Sequence, residues 1–307
     1  MKKKHIIGID LGGTNLKIAL LDSSCRIIHK HALSTGKFSK KEDLIGAVVN
    51  SAGRILKQYH LKKSDIAGIG LGLPGPIDYD RGVVHFFPNI PGWKEVALCR
   101  ILKTKLGVPV YIDNDANVMA LAEFALGAAI GSTNAICLTL GTGVGGGLIL
   151  NKHLYRGSDY AAGEIGHMPI NEKGPGCNCG GIACLESYIG NRRIMAQAKK
   201  IFKKDIPLED LSAMAYSGDK KAVALWKNVG VHLGVALTSI VNLLNPDRIV
   251  IGGGVANAGR ILLDAAAKTI RCRAMSVQAE GVKIVKAELG NDAGMIGAGL
   301  LVKEKEL

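Results

Sequence analysis

The sequence predicts an α/β protein built from two similar halves. Short apolar or alternating segments typical of β-strands are interleaved with longer segments of helical periodicity. The order of strands, hairpin and βα units near the start recurs from about Ser132. The 307 residues can form one large or two medium domains. We therefore expect an internal duplication with a ligand-binding cleft between the halves.

Three strands, a helix and a fourth strand open the first half. The strands are predicted at HIIGID, LKIALLD and RIIHKHAL, the helix at about Lys40 to His60, and the fourth strand at IAGIGLGL. After the loop PGPIDYDRG we expect a helix near Lys94–Leu106, a short strand VPVYI and a helix from Asp115 to Gly127. This order indicates a mixed sheet.

The second half begins with NAICLTL and GGGLILN, two predicted strands that meet at glycines. A cysteine-containing loop and helices from Glu186 to about Leu244 follow, then the strand RIVIGGG and a helix near Arg260–Arg273. The strand GVKIVKA and the helix DAGMIGAGLLV close the chain. We predict a small domain of residues 1–113 with the C-terminal helix of about 290–307, and a large domain of residues 114–289 that holds the cysteine loop.

Composition argues against several classes of protein. The formal charge of +13 is spread along the chain without an aromatic-interleaved basic motif, so we expect a solvated basic surface rather than nucleic-acid binding. Asp10 interrupts the first apolar run, which indicates a strand and not a signal peptide. The longest apolar run contains His232 and Asn242, so we expect no membrane span and a cytoplasmic location. The odd number of cysteines, seven, argues against a disulfide scaffold.

Four glycine-rich segments stand out: GIDLGGTN, GIGLGLPG, GTGVGGG and VIGGGVANAG. Glycine lets backbone N–H groups approach phosphate oxygens closely. Two G-x-G-x-x-G matches do not lead from a strand into a helix, so the dinucleotide fingerprint is rejected, and no P-loop motif is present. The turns that carry Thr14 and Thr142 are structural turns or, taken together, phosphate-binding hairpin tips. The Gly252–Gly254 run is either a strand-to-helix turn or a nucleotide contact.

The stretch YIDNDANVMA brings three polar side chains to the start of an apolar-periodic helix. Asp115 is placed in its first turn, where the positive helix end keeps a carboxylate ionised. It either caps the helix or accepts a hydroxyl proton in phosphoryl transfer. Asn114 is a candidate to hold a neighbouring substrate hydroxyl.

The segment from Gly163 to Glu186 contains the most specific pattern of the sequence. His167, Cys177, Cys179 and Cys184 match a closed, structural tetrahedral zinc site. The alternative is a cluster of reduced cysteines. A metal here would also position the nearby carboxylates Glu164 and Glu186.

These motifs, in this order, resemble the ROK family of bacterial sugar kinases and sugar-responsive repressors. The resemblance runs from GIDLGGTN through DNDAN, GTGVGGG, GEIGH and CNCGGIACLE to IVIGGG. It implies an actin-like, hexokinase-type (ribonuclease H-like) ATPase fold with two α/β domains around a cleft. It further implies a homodimer that uses ATP with Mg²⁺ to phosphorylate the 6-hydroxyl of a hexose.

The same resemblance implies roles for individual residues. Asp115 would be the catalytic base. Sugar hydroxyls would be contacted by Asn89, Asn114, Asp115, Glu164, His167 and Glu186. ATP and, through water, Mg²⁺ would be held by Asp10, Gly12, Gly13, Thr14, Asn15, Gly141, Thr142, Gly143, Gly145, Gly253 and Gly254. Zinc would be held by His167, Cys177, Cys179 and Cys184.

Two departures from the family pattern are visible: Asn15 where Lys is frequent, and Ala183 where Gly is usual. Repressor members carry a helix-turn-helix domain before the first glycine motif, whereas seven residues precede Gly8 here, so we expect a kinase. Glucose is the expected sugar. N-acetylmannosamine, N-acetylglucosamine, allose and fructose remain alternatives, as does a non-catalytic sugar-sensing regulator.

Overall fold

The computed structural model describes residues 4–87 and 92–304. The strands are β1 His5–Leu11, β2 Asn15–Leu21, β3 Ile27–Ser34, β4 Ile66–Leu73, β5 Ile77–Asp78, β6 Val83–Phe86, β7 Lys94–Val96, β8 Val110–Asn114, β9 Ala135–Leu140, β10 Val144–Leu150, β11 His153–Tyr155, β12 Arg248–Gly252 and β13 Lys283–Lys286. The α-helices are α1 Lys41–Gln58, α2 Leu98–Leu106, α3 Asp115–Leu126, α4 Glu186–Ile189, α5 Asn191–Phe202, α6 Leu208–Tyr216, α7 Lys220–Leu244, α8 Arg260–Arg273, α9 Ser276–Gly281 and α10 Ala293–Glu304.

The chain divides into two compact units. Unit 1 is formed from Met1–Ala122, Arg156–Ala162 and Asn291–Leu307, and unit 2 from Glu123–Tyr155 and Gly163–Gly290. The domain boundaries expected from the sequence, at residues 113/114 and about 290, stay a prediction.

Unit 1 is organised around a five-stranded mixed sheet with the order β3-β2-β1-β4-β8. The first three strands form an antiparallel meander, and β4 and β8 run parallel to β1. The central strand β1 is almost entirely apolar and buried, whereas the edge strand β3 alternates between half-buried and exposed residues. These patterns follow from strand position, because a central strand is covered on both faces.

Unit 2 repeats this arrangement with the order β11-β10-β9-β12-β13. Its first three strands are again an antiparallel meander, and β12 and β13 run parallel to β9. The predicted internal duplication is therefore confirmed at the level of sheet topology. The β1–β2 hairpin of unit 1 therefore corresponds to the β9–β10 hairpin of unit 2.

The helix predicted over Lys94–Leu106 is wrong in its first turn. Lys94–Val96 forms strand β7, which pairs with β6 in a small antiparallel sheet, and the helix begins only at Leu98. Glu95 has a φ of +52°, which a helix does not allow. Strands as short as β5, β6 and β7 carry too few residues for a period of two to appear in the sequence.

Glycines allow helix α10 to approach its neighbours in unit 1 at backbone distance. A methyl group at Gly70 in β4 would collide with the carbonyl oxygen of Ala298 in α10. A methyl at Gly297 would collide with the carbonyl of Val118 in α3. The glycines of GIGLGL thus serve helix-to-sheet packing, and nothing in their surroundings requires a ligand.

Helix α7 is the element of the described chain that is long and apolar enough to cross a membrane. However, 56% of its most apolar 18-residue window is buried inside the structure. Asp219 caps its N-terminus by accepting the N–H of Ala222 at 2.9 Å. Gly230 and Gly234 let α8 pack closely along it, so burial indicates a core helix of unit 2.

We predict that Gly70→Ala lowers the free energy of unfolding by about 3 kcal/mol or more, because the added methyl meets a fixed backbone oxygen. The matched control is Gly53→Ala in the interior of α1, where a methyl has nothing within 4 Å. That variant should gain about 1 kcal/mol from helix propensity. Denaturant unfolding measures both, and equal stability of the two variants would contradict the packing argument.

Candidate active site and metal centre

The hairpin tip between β1 and β2 carries the first predicted phosphate-binding segment. Its turn is closed by a hydrogen bond from the Gly12 N–H to the carbonyl of Asn15 at 2.9 Å. Thr35 supports it from β3's end, donating its hydroxyl to the Gly13 carbonyl and its N–H to the Thr14 carbonyl. Gly13 and Thr14 are exposed, so the tip is a braced turn open to ligands.

Asp10 lies just before this tip, at the end of β1. Its carboxylate is 14% exposed and lies 3.4 Å from the ammonium of Lys17. A methyl group at Gly294, in the first turn of α10, would collide with it. Burial raises the pKa of Asp10 and Lys17 opposes that rise. Asp10 therefore lies beside a helix start, where the helix dipole favours a negative charge.

The junction of β8 and α3 presents the predicted catalytic residue. The side-chain oxygen of Asn114 accepts the N–H of Ala116 at 2.9 Å, which is the N-cap bond of α3. Asp115 accepts the same N–H at 2.8 Å and is half-buried. Asn114 also donates to the carbonyl of Gly75 at 3.2 Å. Since Asn114 already caps the helix, capping alone does not account for a carboxylate at Asp115.

The corresponding hairpin tip of unit 2 is Gly141–Gly143, between β9 and β10. Two neighbouring segments hold it: Gly141 accepts the N–H of Asn191 at 2.9 Å, and Glu186 accepts the N–H of Val144 at 2.9 Å. Thr142 is exposed. Glu186, predicted from the sequence as a sugar ligand, therefore also braces the predicted phosphate loop.

The glycine run after β12 forms a turn rather than the start of a long helix. Gly253 has a φ of +84°, and a methyl there would collide with the backbone of Leu140. Gly254–Ala258 is a 3₁₀ helix, and α8 begins only at Arg260. Gly253 is thus required by conformation and close packing, whereas a methyl at Gly254 would meet nothing within 4 Å.

The four predicted zinc ligands come together in unit 2. The ligand atoms of His167, Cys177, Cys179 and Cys184 all lie within 4.8 Å of one another. Sγ of Cys177 is 3.6 Å from Nδ1 of His167, and Sγ of Cys179 is 3.7 Å from Sγ of Cys184. A tetrahedral zinc centre separates its ligand atoms by about 3.6 Å for S and N and about 3.8 Å for two sulfurs. The cluster therefore has the dimensions of a Cys₃His metal site.

The second nitrogen of the His167 ring lies near a carboxylate. Its Nε2 lies 3.8 Å from a carboxylate oxygen of Glu164, whose side chain is 61% exposed. A ring held by its Nδ1 at a metal would thus present Nε2 next to an exposed carboxylate. The two predicted sugar ligands Glu164 and His167 are neighbours in the structure.

Ala183, the departure inside the cysteine loop, is fully buried with a φ of +56°. This is the left-handed region that favours glycine, which explains why the family usually has Gly there. Ala183 adopts it while donating its N–H to Pro175 and accepting from Ile170. The loop thus accepts the methyl group at the cost of local strain.

The predicted site residues fall into two sets. Unit 1 carries Asp10, Gly12, Gly13, Thr14, Asn15, Asn114 and Asp115, and unit 2 carries Gly141, Thr142, Gly143, Gly145, Glu164, His167, Cys177, Cys179, Cys184, Glu186, Gly253 and Gly254. Asn89 lies outside the described residues.

The chain is similar to known proteins over almost its whole length. The model of the ROK family matches residues 6–305. The chain belongs to the ROK family. A glucokinase of Halalkalibacterium halodurans is 37% identical over 100% of this chain and 97% of its own length. The xylose repressor of Bacillus subtilis is 30% identical over 98% of this chain and 77% of its own length.

Solved structures of ROK proteins share the fold over almost the whole chain. The ROK hexokinase of Thermus thermophilus superposes with a TM-score of 0.83 at 34% identity, covering 99% of this chain and 100% of that chain. A Streptomyces griseus ROK glucokinase, solved with glucose and AMPPNP, gives a TM-score of 0.83 at 29% identity over 98% and 99%. The predicted hexokinase-type α/β fold is confirmed.

Two residues without a predicted role, Asp113 and Arg156, support the junction of β8 and α3 at Asp115. Asp113 is buried and accepts the N–H of Asn114 at 2.7 Å and the side-chain amide of Asn117 at 2.9 Å. Arg156 donates its Nε to the other oxygen of Asp113 at 2.7 Å. Asp113 is the first residue of the motif DNDAN, so the sequence offered a signal for its importance. Arg156 lies in none of the quoted motifs.

The contact of Glu186 with the loop predicts a specific cost for Gly143→Ala. A methyl there would lie 2.6 Å from the Glu186 oxygen that accepts from Val144, so that bond must shift or break. We expect a loss of about 1–2 kcal/mol in the free energy of unfolding. Gly141→Ala is the control, because its methyl meets nothing within 4 Å.

A double-mutant cycle isolates the cause. In a Glu186→Ala background the clash partner is gone, so Gly143→Ala should cost much less than in the wild-type chain. An unchanged cost would mean that the loop is held by something other than Glu186.

Proposed function

We propose that this chain is an ATP-dependent hexokinase that phosphorylates glucose at its 6-hydroxyl. The observation that carries the proposal is the similarity to glucokinases over at least 97% of the length of both chains. The exposed, braced hairpin tips and the carboxylate at the start of α3 are consistent with phosphoryl transfer, in which positioning and charge stabilisation supply most of the catalysis.

Asp115 is the proposed general base. It takes the proton of the sugar 6-hydroxyl as the phosphoryl group is transferred, while Asn114 holds a neighbouring hydroxyl. Location at the N-terminus of α3 favours the ionised carboxylate that this role requires. Asn89, Glu164, His167 and Glu186 bind the remaining hydroxyls. Exclusion of water from the bound sugar prevents hydrolysis from competing.

The two threonine-bearing hairpin tips are the proposed phosphate-binding elements. The first tip contributes Gly12, Gly13, Thr14 and Asn15, and the second contributes Gly141, Thr142, Gly143 and Gly145. Gly253 and Gly254 are proposed to contact the nucleotide. Mg²⁺ bound with ATP supplies charge neutralisation on the phosphoryl oxygens. Asp10 is the carboxylate that would hold it.

Replacement of Asp115 tests the base. Asp115→Asn keeps the size and one acceptor oxygen but cannot accept the proton, so kcat should fall by at least about 10²-fold with a smaller change in sugar affinity. Coupled measurement of ADP release gives kcat and KM. Asp205→Asn, a change at a side chain 84% exposed, is the control and should behave like wild type. Near-normal turnover of Asp115→Asn would contradict the assignment.

A hexose panel in the same assay separates the alternatives. Glucose should be the best substrate, and preference for N-acetylmannosamine, N-acetylglucosamine, allose or fructose would reassign the sugar. The similarity to a xylose repressor supports a second candidate function, a sugar sensor that does not phosphorylate the sugar. Sugar binding without ADP release for every hexose would favour that function.

Zinc is the proposed occupant of the Cys₃His cluster, in a structural role. Three thiolates and one imidazole are the donor set of closed zinc sites, and the ligand spacing fits tetrahedral geometry. Because all four positions come from protein, the metal would stabilise the loop that carries Glu164, His167 and Glu186.

Elemental analysis should therefore find about one zinc ion per chain. Cys179→Ser should lower the zinc content and weaken sugar binding, because His167 loses its anchor. Cys272→Ser, an exposed cysteine outside the cluster, should change neither. Full activity in a metal-free chain would contradict a structural zinc.

We further infer a cytoplasmic homodimer that binds neither nucleic acid nor membrane. The dispersed basic residues, the burial of α7 and the family resemblance support this inference.

A further inference from the structure

A short segment, Arg156–Ala162, belongs to unit 1 although the chain on both sides of it belongs to unit 2. It connects β11 to the stretch that carries Glu164 and His167. Two side chains fix it to unit 1: Arg156 at its start, and Tyr160, whose hydroxyl donates to Asp80 at 2.6 Å.

Arg156 is held from three sides. Its Nε donates to Asp113 at 2.7 Å, its terminal nitrogen donates to Glu304 of α10 at 2.7 Å, and its guanidinium lies 3.7 Å above the ring of Tyr79. The side chain is only 12% exposed. A guanidinium can satisfy all three contacts together, because its donors form a rigid plane that also stacks on aromatic rings.

The partner carboxylate, Asp113, stands at the end of β8, two residues before Asp115. It is 3% exposed, and burial raises its pKa against the opposing charge of Arg156. The other oxygen of Asp113 accepts the N–H of Asn114 and the amide of Asn117. One charged group therefore fixes the last residue of the strand and the first turn of the helix.

Loss of Arg156 would leave this carboxylate buried beside the junction without its ion-pair partner. Such a group must be protonated or move towards water, and either change alters the hydrogen bonds to Asn114 and Asn117. The backbone that presents Asp115 would shift as a result. In positioned catalysis a displacement of about 1 Å can cost on the order of 10²-fold in rate.

We propose that Arg156 is a positioning residue for phosphoryl transfer: through Asp113 it fixes the strand-to-helix junction that presents Asn114 and Asp115. The proposal rests on the proposed hexokinase function for its kinetic consequences. Its structural consequence, a loosened junction when Arg156 is removed, does not depend on that function.

The experiment compares Arg156→Ala, Arg156→Lys and the control Arg81→Ala. Arg81 is also an arginine of unit 1 near a carboxylate, but its side chain is 73% exposed and the carboxylate, 3.8 Å away, is that of Asp78 and not of Asp113. Arg156→Ala should lose about 10- to 100-fold in kcat with little change in KM for ATP. Arg156→Lys should recover part of the loss, and millimolar guanidinium should partly rescue Arg156→Ala. Arg81→Ala should match wild type.

Hydrogen exchange provides the readout that is independent of activity. Peptides covering residues 110–120 should exchange faster in Arg156→Ala, because the Asn114 amide loses its fixed acceptor. Thermal unfolding of each variant confirms that the assayed protein is folded. Unchanged exchange there, or wild-type kcat in Arg156→Ala, would overturn the proposal.

Wild-type ADP release in the same assay reports on the proposed function by itself. If wild type and Arg156→Ala were equally active, only the proposed role of Arg156 would be rejected. An inactive wild type would reject the hexokinase proposal, and the exchange measurement would still decide whether Arg156 holds the junction.

Discussion

A buried carboxylate, that of Asp113, holds the point at which β8 becomes α3. It accepts hydrogen bonds from the strand end and from the first helical turn, and it forms an ion pair with the guanidinium of Arg156. A charge so deeply buried is tolerable only when its partners are fixed, so the junction has little freedom. Asp115 stands on this junction, and the chemistry proposed for the chain depends on that constraint.

Unit 2 also holds a predicted site segment by contacts with a neighbouring segment, but the residues that do so are different. Its cysteine loop and its predicted phosphate-binding tip, Gly141–Gly143, are linked through Glu186, which follows Cys184 by two residues and accepts the N–H of Val144. One hydrogen bond therefore joins the segment that follows the cysteine cluster to the hairpin tip of β9 and β10. The same sheet order occurs in both units, and both first hairpins end in a threonine-bearing tip. The duplication thus yields two similar tips with separate supports, Thr35 in one and Glu186 in the other.

Several features were predictable because they depend on neighbouring residues alone. Hydrophobic runs located β4 and α8 at their observed bounds, and the spacing of His167 and the three cysteines predicted a cluster that the structure brings together. The helix proposed from Lys94 was wrong in its first turn because pairing with β6 overrides local propensity. The glycines of GIGLGL resembled a ligand-binding motif, although close packing explains them: Gly68 and Gly70 face α10, and Gly72 faces Val118 of α3.

The sequence by itself determined the order of the longer strands and of the main helices, the repeated pattern, the Cys₃His set and the place of Asp115 at a helix start, since each follows from local periodicity or spacing. The short strands β5, β6, β7 and β11 were not predicted. Only the tertiary structure decided that Arg156 meets Asp113 across 43 residues and Glu304 across 148, and that Glu186 reaches Val144 across 42. Contacts of this kind depend on the path of the chain between distant segments. No local sequence pattern predicts that path, because Arg156, Asp113 and Glu186, each taken with its sequence neighbours, look like ordinary charged residues.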